Sequence, residues 1–340
     1  MRTIAIALPL ALAAAPAAAA PPKPLFASDD TIHIAIQGPM NSFFRNRSDT
    51  PRPGTLTVGA ESLPISLTVR GITRRMGDIC DFPPLRVIFT TPPPATSLFA
   101  GQKKLKLVTH CRANPGFQQY LLLEYSAYKM YQQLTPLGLR ARLADVTYKN
   151  DDGKPAIQRF GFFLEDVSDA AKRNGLKEVH APSTISVASL SPRDSARYAL
   201  FQHMLGNHDW SMRAGPKGAD CCHNAKLIGG SGLATATVIP IPYDFDFSGF
   251  VDPPYATPPD ELHIADVKQR FFRGYCVFNN EGMAVAAQMR SARPQMLAAL
   301  ASTPGLDPKT LGRAQTYLDG FFRDIATDAS TSTLLKHCVG

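Results

Sequence analysis

The periodicity of the apolar residues changes abruptly at Phe117, and that change confines the chain to a mixed α+β architecture. Before it, short β-branched runs alternate apolar and polar residues: Thr31 to Ile36, Gly54 to Val58, Pro64 to Gly71, Leu85 to Thr90 and Lys103 to His110. Gly, Pro, Asn or Ser bounds each run, so they read as strands of an antiparallel sheet. From Phe117 to Leu134 the apolar and aromatic residues recur at helical spacing, and Pro136 stops the helix. Two more strands, Arg140 to Tyr148 and Gln158 to Asp166, flank a loop whose Asp152-Gly153 pair signals a hairpin. After Ser191 the chain becomes mostly helical. Ser191 as N-cap, Pro192 in the first turn and Asp194 at the positive end of the dipole predict one helix there. Amphipathic segments from Glu281 to Thr303, divided near Pro294, and from Pro308 to Ala326 predict two more.

The first residues set the compartment. Arg2, an apolar run from Ile4 to Ala15 and small residues up to Ala20 read as a cleaved export signal over residues 1–20. Pro9 and Pro16 interrupt the run, which falls short of the roughly 20 apolar residues that span a bilayer. Nothing later is apolar enough to span, so a secreted or periplasmic protein with no transmembrane segment in the mature chain is expected. The formal charge of +8 includes Arg2, leaving +7 after cleavage (8 − 1). Its cations are scattered rather than blocked, which argues against a nucleic-acid groove. Six cysteines in an exported chain imply disulfides. Cys80 and Cys111 bracket two strand-like runs and are expected to staple neighbouring strands. The later four are expected to tie the segment around Cys221 to the C-terminal helices.

The polar, acid-rich motifs collect between Leu205 and Phe250: "GNHDW" at Gly206 to Trp210, "CCHNAKLI" at Cys221 to Ile228 and "PIPYDFDF" at Pro240 to Phe247. With "VRG" at Val69 to Gly71, the Lys of "KKLKL" and "FGFFLED" at Phe160 to Asp166, this layout resembles the spore-coat-protein-H-like (CotH-type) atypical protein kinases. The resemblance runs over roughly Leu63 to Val251. It implies a two-lobed, atypical protein-kinase-like α+β fold, with an N-terminal antiparallel sheet lobe and a mainly helical C-terminal lobe. Residues 21–135 would form the sheet lobe with its long helix, 136–190 the remaining strands and interlobe linker, and 191–340 the helical lobe with the motifs.

The same resemblance implies roles for particular side chains in phosphoryl transfer. Asp244, delivered by the apolar run before it, would hold a metal. Asp246 alternates to the same side, and either could be the ligand. Asn224 would be the second ligand, and Asp209 would sit beside the acceptor hydroxyl, although the 15 residues from Asp209 to Asn224 depart from the family's pattern. Lys106 would bind phosphates; Lys104 lies on the same strand face, and Lys106 is preferred because it lies deeper, between two apolar neighbours. Glu124 would pair with it. Arg70 beside Gly71 could approach phosphate, and Glu165 could lie on the adenine side. The implied cofactor is ATP with Mg2+ or Mn2+, and the implied partner a protein substrate or an envelope protein. Two alternatives use the same residues: an inactive kinase-fold binding module of the cell envelope, or a zinc- or copper-binding exported protein using His203, His208, Asp209, Cys221, Cys222 and His223.

Overall fold

A computed structural model of the chain describes residues 19–230 and 237–340, so the expected export signal lies outside the described residues except for Ala19 and Ala20. Seven strands form its first half: β1 (Ile32–Gln37), β2 (Arg52–Val58), β3 (Glu61–Val69), β4 (Leu85–Phe89), β5 (Lys104–Val108), β6 (Ala141–Lys149) and β7 (Pro155–Leu164). They close into a barrel in the order β1-β2-β3-β4-β5-β7-β6. Every neighbouring pair is antiparallel except β1 and β6, which run parallel from Ile32 opposite Ala144 to Gln37 opposite Lys149.

That closure overturns the expected two-lobed, kinase-like fold with an open antiparallel N-terminal sheet lobe. Alternation fixes which face a strand presents, but not which strands meet. Here β6 returns to the edge of β1, and the parallel pair leaves that sheet no free edge. Nor is the second half purely helical. β8 (Lys177–Glu178), β9 (Ala225–Gly229) and β10 (Ile239–Pro242) form a three-stranded sheet in the order β10-β9-β8.

The strand patterns follow from two separate cores. Ile34, Ile36, Leu56, Ile65, Leu67, Val87, Leu107, Val146, Tyr148 and Phe163 fill the barrel, and α1 (Met40–Arg45) adds Met40 and Phe43 to that core. On the outside, Val108, Leu143, Phe162 and Leu164 join the second core with α2 (Gln118–Gln132). The parts of β6 and β7 beneath α2 are therefore apolar on both faces, which is why "GFFL" in β7 reads as a continuous run rather than an alternation. α2 touches both barrel strands and α5 (Asn279–Ala301), and every residue from Leu121 to Tyr128 is buried. Glu124 is thus carried into the interior.

Around α2 and α5 pack α4 (Pro192–Leu205), α6 (Pro308–Asp324) and α7 (Asp328–Leu335), with α3 (Val167–Arg173) after β7. α5 is not divided: Pro294 lies inside it, and Met289, Met296 and Leu300 keep both halves anchored to the core. α4 starts at Pro192 as expected and ends at Gly206, which adopts φ 59°. A Cβ there would lie 2.1 Å from the Tyr317 hydroxyl, so only glycine fits the turn into the "GNHDW" loop.

The expected Cys80–Cys111 bridge is present. The later cysteines pair differently from the expectation. Cys276 joins Cys338, tying the start of α5 to the C-terminus, while Cys221 joins its neighbour Cys222 instead of reaching the helices. Three disulfides are consistent with an oxidising, extracellular compartment. Among the described residues no helix is long and apolar enough to cross a membrane.

Candidate active site

A cleft of about 1000 Å³ runs between the β3–β4 end of the barrel, the β9–β10 sheet and the loops on either side of that sheet. Three groups of side chains line it. At its inner end Arg74, one turn beyond β3, reaches three carboxylates at once. Its Nη1 lies 3.0 Å from Glu124 Oε2, its Nη2 3.2 Å from Asp244 Oδ1 and its Nε 3.2 Å from Asp246 Oδ2. Arg74, Glu124 and Asp246 are 8%, 1% and 5% exposed, so these three are shielded from water. The three carboxylates bring oxygens within 4.8 Å of one another, and the guanidinium supplies the positive charge that such crowding requires.

Burial dominates the electrostatics of this group. It pushes Glu124 up to about 8 against the pull of Arg74, and Asp246 up to about 6. Burial opposes the charge on Arg74, but Asp246 and Glu124 outweigh it and raise the guanidinium well above its ordinary value. Tyr255 donates to Asp246 Oδ2 at 3.2 Å, and the Asp244 amide donates to the Tyr128 hydroxyl at 2.9 Å. Asp244 is the most accessible carboxylate of the three, with its side chain 36% exposed toward the cleft.

The second group lies beside Asp244. Asn224 donates from Nδ2 to the carbonyl oxygen of Asp209 at 2.6 Å and to its Oδ2 at 2.9 Å. His223 Nε2 lies 2.6 Å from Asp209 Oδ1, and this hydrogen bond raises the imidazole above its ordinary value. The long separation of Asp209 from Asn224 is resolved by a loop pinched at its neck. There Ser211 and His223 exchange backbone hydrogen bonds of 2.9 and 3.2 Å. Residues far apart in sequence therefore share one hydrogen-bonded unit. Asn224 and Asp244 both hold left-handed backbone, at φ 47° and 62°. Asn and Asp tolerate that region better than most residues, and such conformations gather at functional sites.

The third group is cationic. Lys106 on β5, Arg70 at the end of β3 and Lys226 on β9 line the same cleft. Lys106 and Lys226 lie over the Tyr243 ring at 5.2 and 5.3 Å from its centroid. Among the described residues, none of the three cations has a carboxylate at ion-pairing distance, in contrast to Arg74. Burial, reinforced by Arg70 and Lys226, pushes Lys106 down to about 8. Burial likewise lowers Arg70.

The cleft thus brings together Arg70, Lys106, Asp209, Asn224, Asp244 and Asp246 from the sequence-predicted set. Glu124 lies just behind it, but its partner is Arg74 and not Lys106, because α2 buries it on the side where the segment after β3 returns. Lys104 is exposed at the start of β5 and is absent from the cleft lining, whereas Lys106 lines it. Glu165 does not reach the cleft either. Arg173 grips both of its oxygens at 3.1 and 2.9 Å, and the Arg140 amide donates to it at 2.9 Å. It is a structural ion pair beside α3.

The soft-metal grouping does not assemble. Cys221 and Cys222 are consumed in a disulfide, His208 contacts the Gln269 carbonyl oxygen at 2.8 Å, and His203 packs against Phe272 and Phe321. Arg74 and Lys226 were not singled out in the sequence. The signal for Arg74 was the cationic run after Gly71, but nothing local distinguishes buried Arg74 from Arg75, which turns outward to the Arg47 carbonyl oxygen. The chain matches no protein-family model and no curated protein.

Proposed function

We propose that the cleft binds a metal–nucleotide and transfers its terminal phosphoryl group to a protein hydroxyl. The observation that carries this reading is the placement of three cations lacking carboxylate partners, Arg70, Lys106 and Lys226, in one cleft with Asp209, Asn224 and Asp244. Cations brought together with no carboxylate in direct contact favour a polyanion, and a polyphosphate is one of the right charge. The reaction itself comes from the resemblance to CotH-type enzymes in "NHD", "HNAKLI" and "IPYDFDF".

The donor set fits a hard divalent cation. Asn224, with Nδ2 spent on Asp209, offers Oδ1, and Asp244 offers a half-exposed carboxylate. Mg2+ and Mn2+ favour such oxygen donors and take their remaining ligands from phosphate and water. Arg74 contacts all three acids, but Asp246 and Glu124 are buried and Tyr255 also engages Asp246, so the more exposed Asp244 suits that role better. The ion would neutralise charge on the phosphates. Lys106, Arg70 and Lys226 would hold the phosphate oxygens, and Asp209 would orient the acceptor hydroxyl and take its proton.

A thermal-shift titration with ATP and Mg2+ or Mn2+ tests the binding half. At about 100 times Kd, ligand linkage gives about 2.7 kcal/mol of stabilisation. Lys106→Ala and Asp244→Ala should each abolish it. The transfer half is tested with labelled ATP and casein as acceptor, where Asp209→Asn should stop incorporation while the thermal shift persists. A protein indifferent to ATP with either ion would refute the reading. One observation favours binding without transfer: Glu124 is held by Arg74, leaving Lys106 no carboxylate to fix it. In that case the shift appears and incorporation does not.

A further inference from the structure

We propose that the mouth of the barrel is a second binding site, taking a small uncharged or weakly basic nitrogen heterocycle. A cavity of about 520 Å³ opens there, lined by Asn41 of α1, Asp81, Phe82, His110, Asn150 of the β6–β7 hairpin and Ile157 of β7. Cavities of this size accommodate one or two fused rings. Its polar groups set it apart from an ordinary surface dent. His110 is 1% exposed, yet neither ring nitrogen has a hydrogen-bond partner. Asn150 Oδ1 is buried and unpartnered in the same wall. Behind them the Tyr148 ring lies 6.0 Å from that of His110, and its hydroxyl is likewise buried without a partner.

Buried polar groups are almost always satisfied, so two orphaned side chains lining one cavity, His110 and Asn150, point to a partner that fills it. Their chemistry describes that partner. Burial, with Arg159 nearby, pushes His110 down to about 3, so the imidazole is neutral and offers one donor and one acceptor. Asn150 Oδ1 adds an acceptor. A flat ring with both N–H and ring-nitrogen groups on its edge meets this set, while Pro155, Ala156 and Ile157 in the lining supply apolar surface. Anions are disfavoured, because Asp81 is in the lining and no Lys or Arg is among its described residues. This separates the site from the cationic cleft, and the inference stands whether or not that cleft binds nucleotide.

The test is saturation-transfer NMR on the whole protein with benzimidazole and indazole as probes and benzoate as the anionic counterpart. Saturable binding of the two heterocycles and none of benzoate is expected. Asn150→Ala and His110→Leu should each weaken binding by about tenfold, the effect of losing one well-made hydrogen bond to a buried group. Lys106→Ala should leave it unchanged. Asn150 lies in a hairpin at the surface, so its variant stays informative if the core change at His110 prevents folding. Absence of saturable binding by both heterocycles, or binding that neither mouth variant weakens, would overturn the proposal.

Discussion

Arg74→Met is the most informative perturbation of this molecule, because it removes one cation and leaves three carboxylates with oxygens within 4.8 Å of one another. Removing one partner of a buried ion pair costs about 3–5 kcal/mol, far more than a pair at the surface. For a chain of this size that is roughly 6–10 °C in Tm at about 2 °C per kcal/mol. The loss should depend on pH in a direction opposite to that of an ordinary salt bridge. Glu124 and Asp246 are raised by burial to about 8 and about 6, so each is more easily protonated in the fold than in the unfolded chain. Stability from such groups is complete below the ordinary carboxylate range and drains away as pH rises through their folded values. Without Arg74 both move higher still, so the deficit of the variant should widen from about pH 5 to pH 8. At the acid end, where Glu124 and Asp246 are neutral, only about 1–2 kcal/mol of lost hydrogen bonding to those two should remain. Unfolding followed by fluorescence of Trp210, the sole tryptophan, with EDTA present, measures both limits. An equal deficit at the two pH values would refute this account of the cluster.

Three further outcomes follow from the geometry. Replacing Cys276 and Cys338 together by Ser should cost about 4 kcal/mol, because the bridge closes a separation of 62 residues, and urea unfolding against the parent protein reads it directly. Glu165→Gln should lower Tm through its broken pairing with Arg173 yet leave any ATP–Mg2+ shift intact; a lost shift would return Glu165 to the nucleotide site. Peptide mapping without reduction should find Cys221 and Cys222 joined within a single peptide, and a link from either to Cys276 or Cys338 would contradict the pairing.

What the sequence made legible was whatever local pattern controls. Strand alternation located β1 to β7 to within a few residues, and the aromatic run after Phe117 located α2. Cys80 and Cys111 paired as their flanking strands implied. Illegible were the features decided by chain segments meeting at a distance. The parallel registry of β1 with β6 leaves no trace in either strand, because a barrel-facing residue looks the same whichever neighbour it has. The contact of Asp209 with Asn224 depends on a hairpin-like neck at Ser211 and His223 that no turn motif announces. The surroundings of Glu165 are illegible for a related reason: a carboxylate at a strand end looks available until Arg173, eight positions on, folds back onto it. The rival zinc set failed because oxidation removed two of its ligands.

The charges around Asp244 are sorted in a way that bears on the cleft's chemistry. Had Lys106 paired with Glu124, the wall of β5 would be neutral and the carboxylates of Asp244 and Asp246 would face one another uncompensated. Arg74 instead gathers all three acids on the inner side, through a planar fork that a lysine could not reproduce. The consequence is an acidic group held by Arg74, beside Arg70, Lys106 and Lys226, which no carboxylate among the described residues contacts at ion-pairing distance. Desolvation works against the charge on Lys106 and Arg70 as they stand, and an anion in the cleft would reverse that penalty for both. Polyanion binding should therefore take up protons near pH 8, where Lys106 is only partly charged. Calorimetry of tripolyphosphate in buffers of different ionisation enthalpy would detect that uptake, and Lys106→Arg should suppress it while retaining affinity.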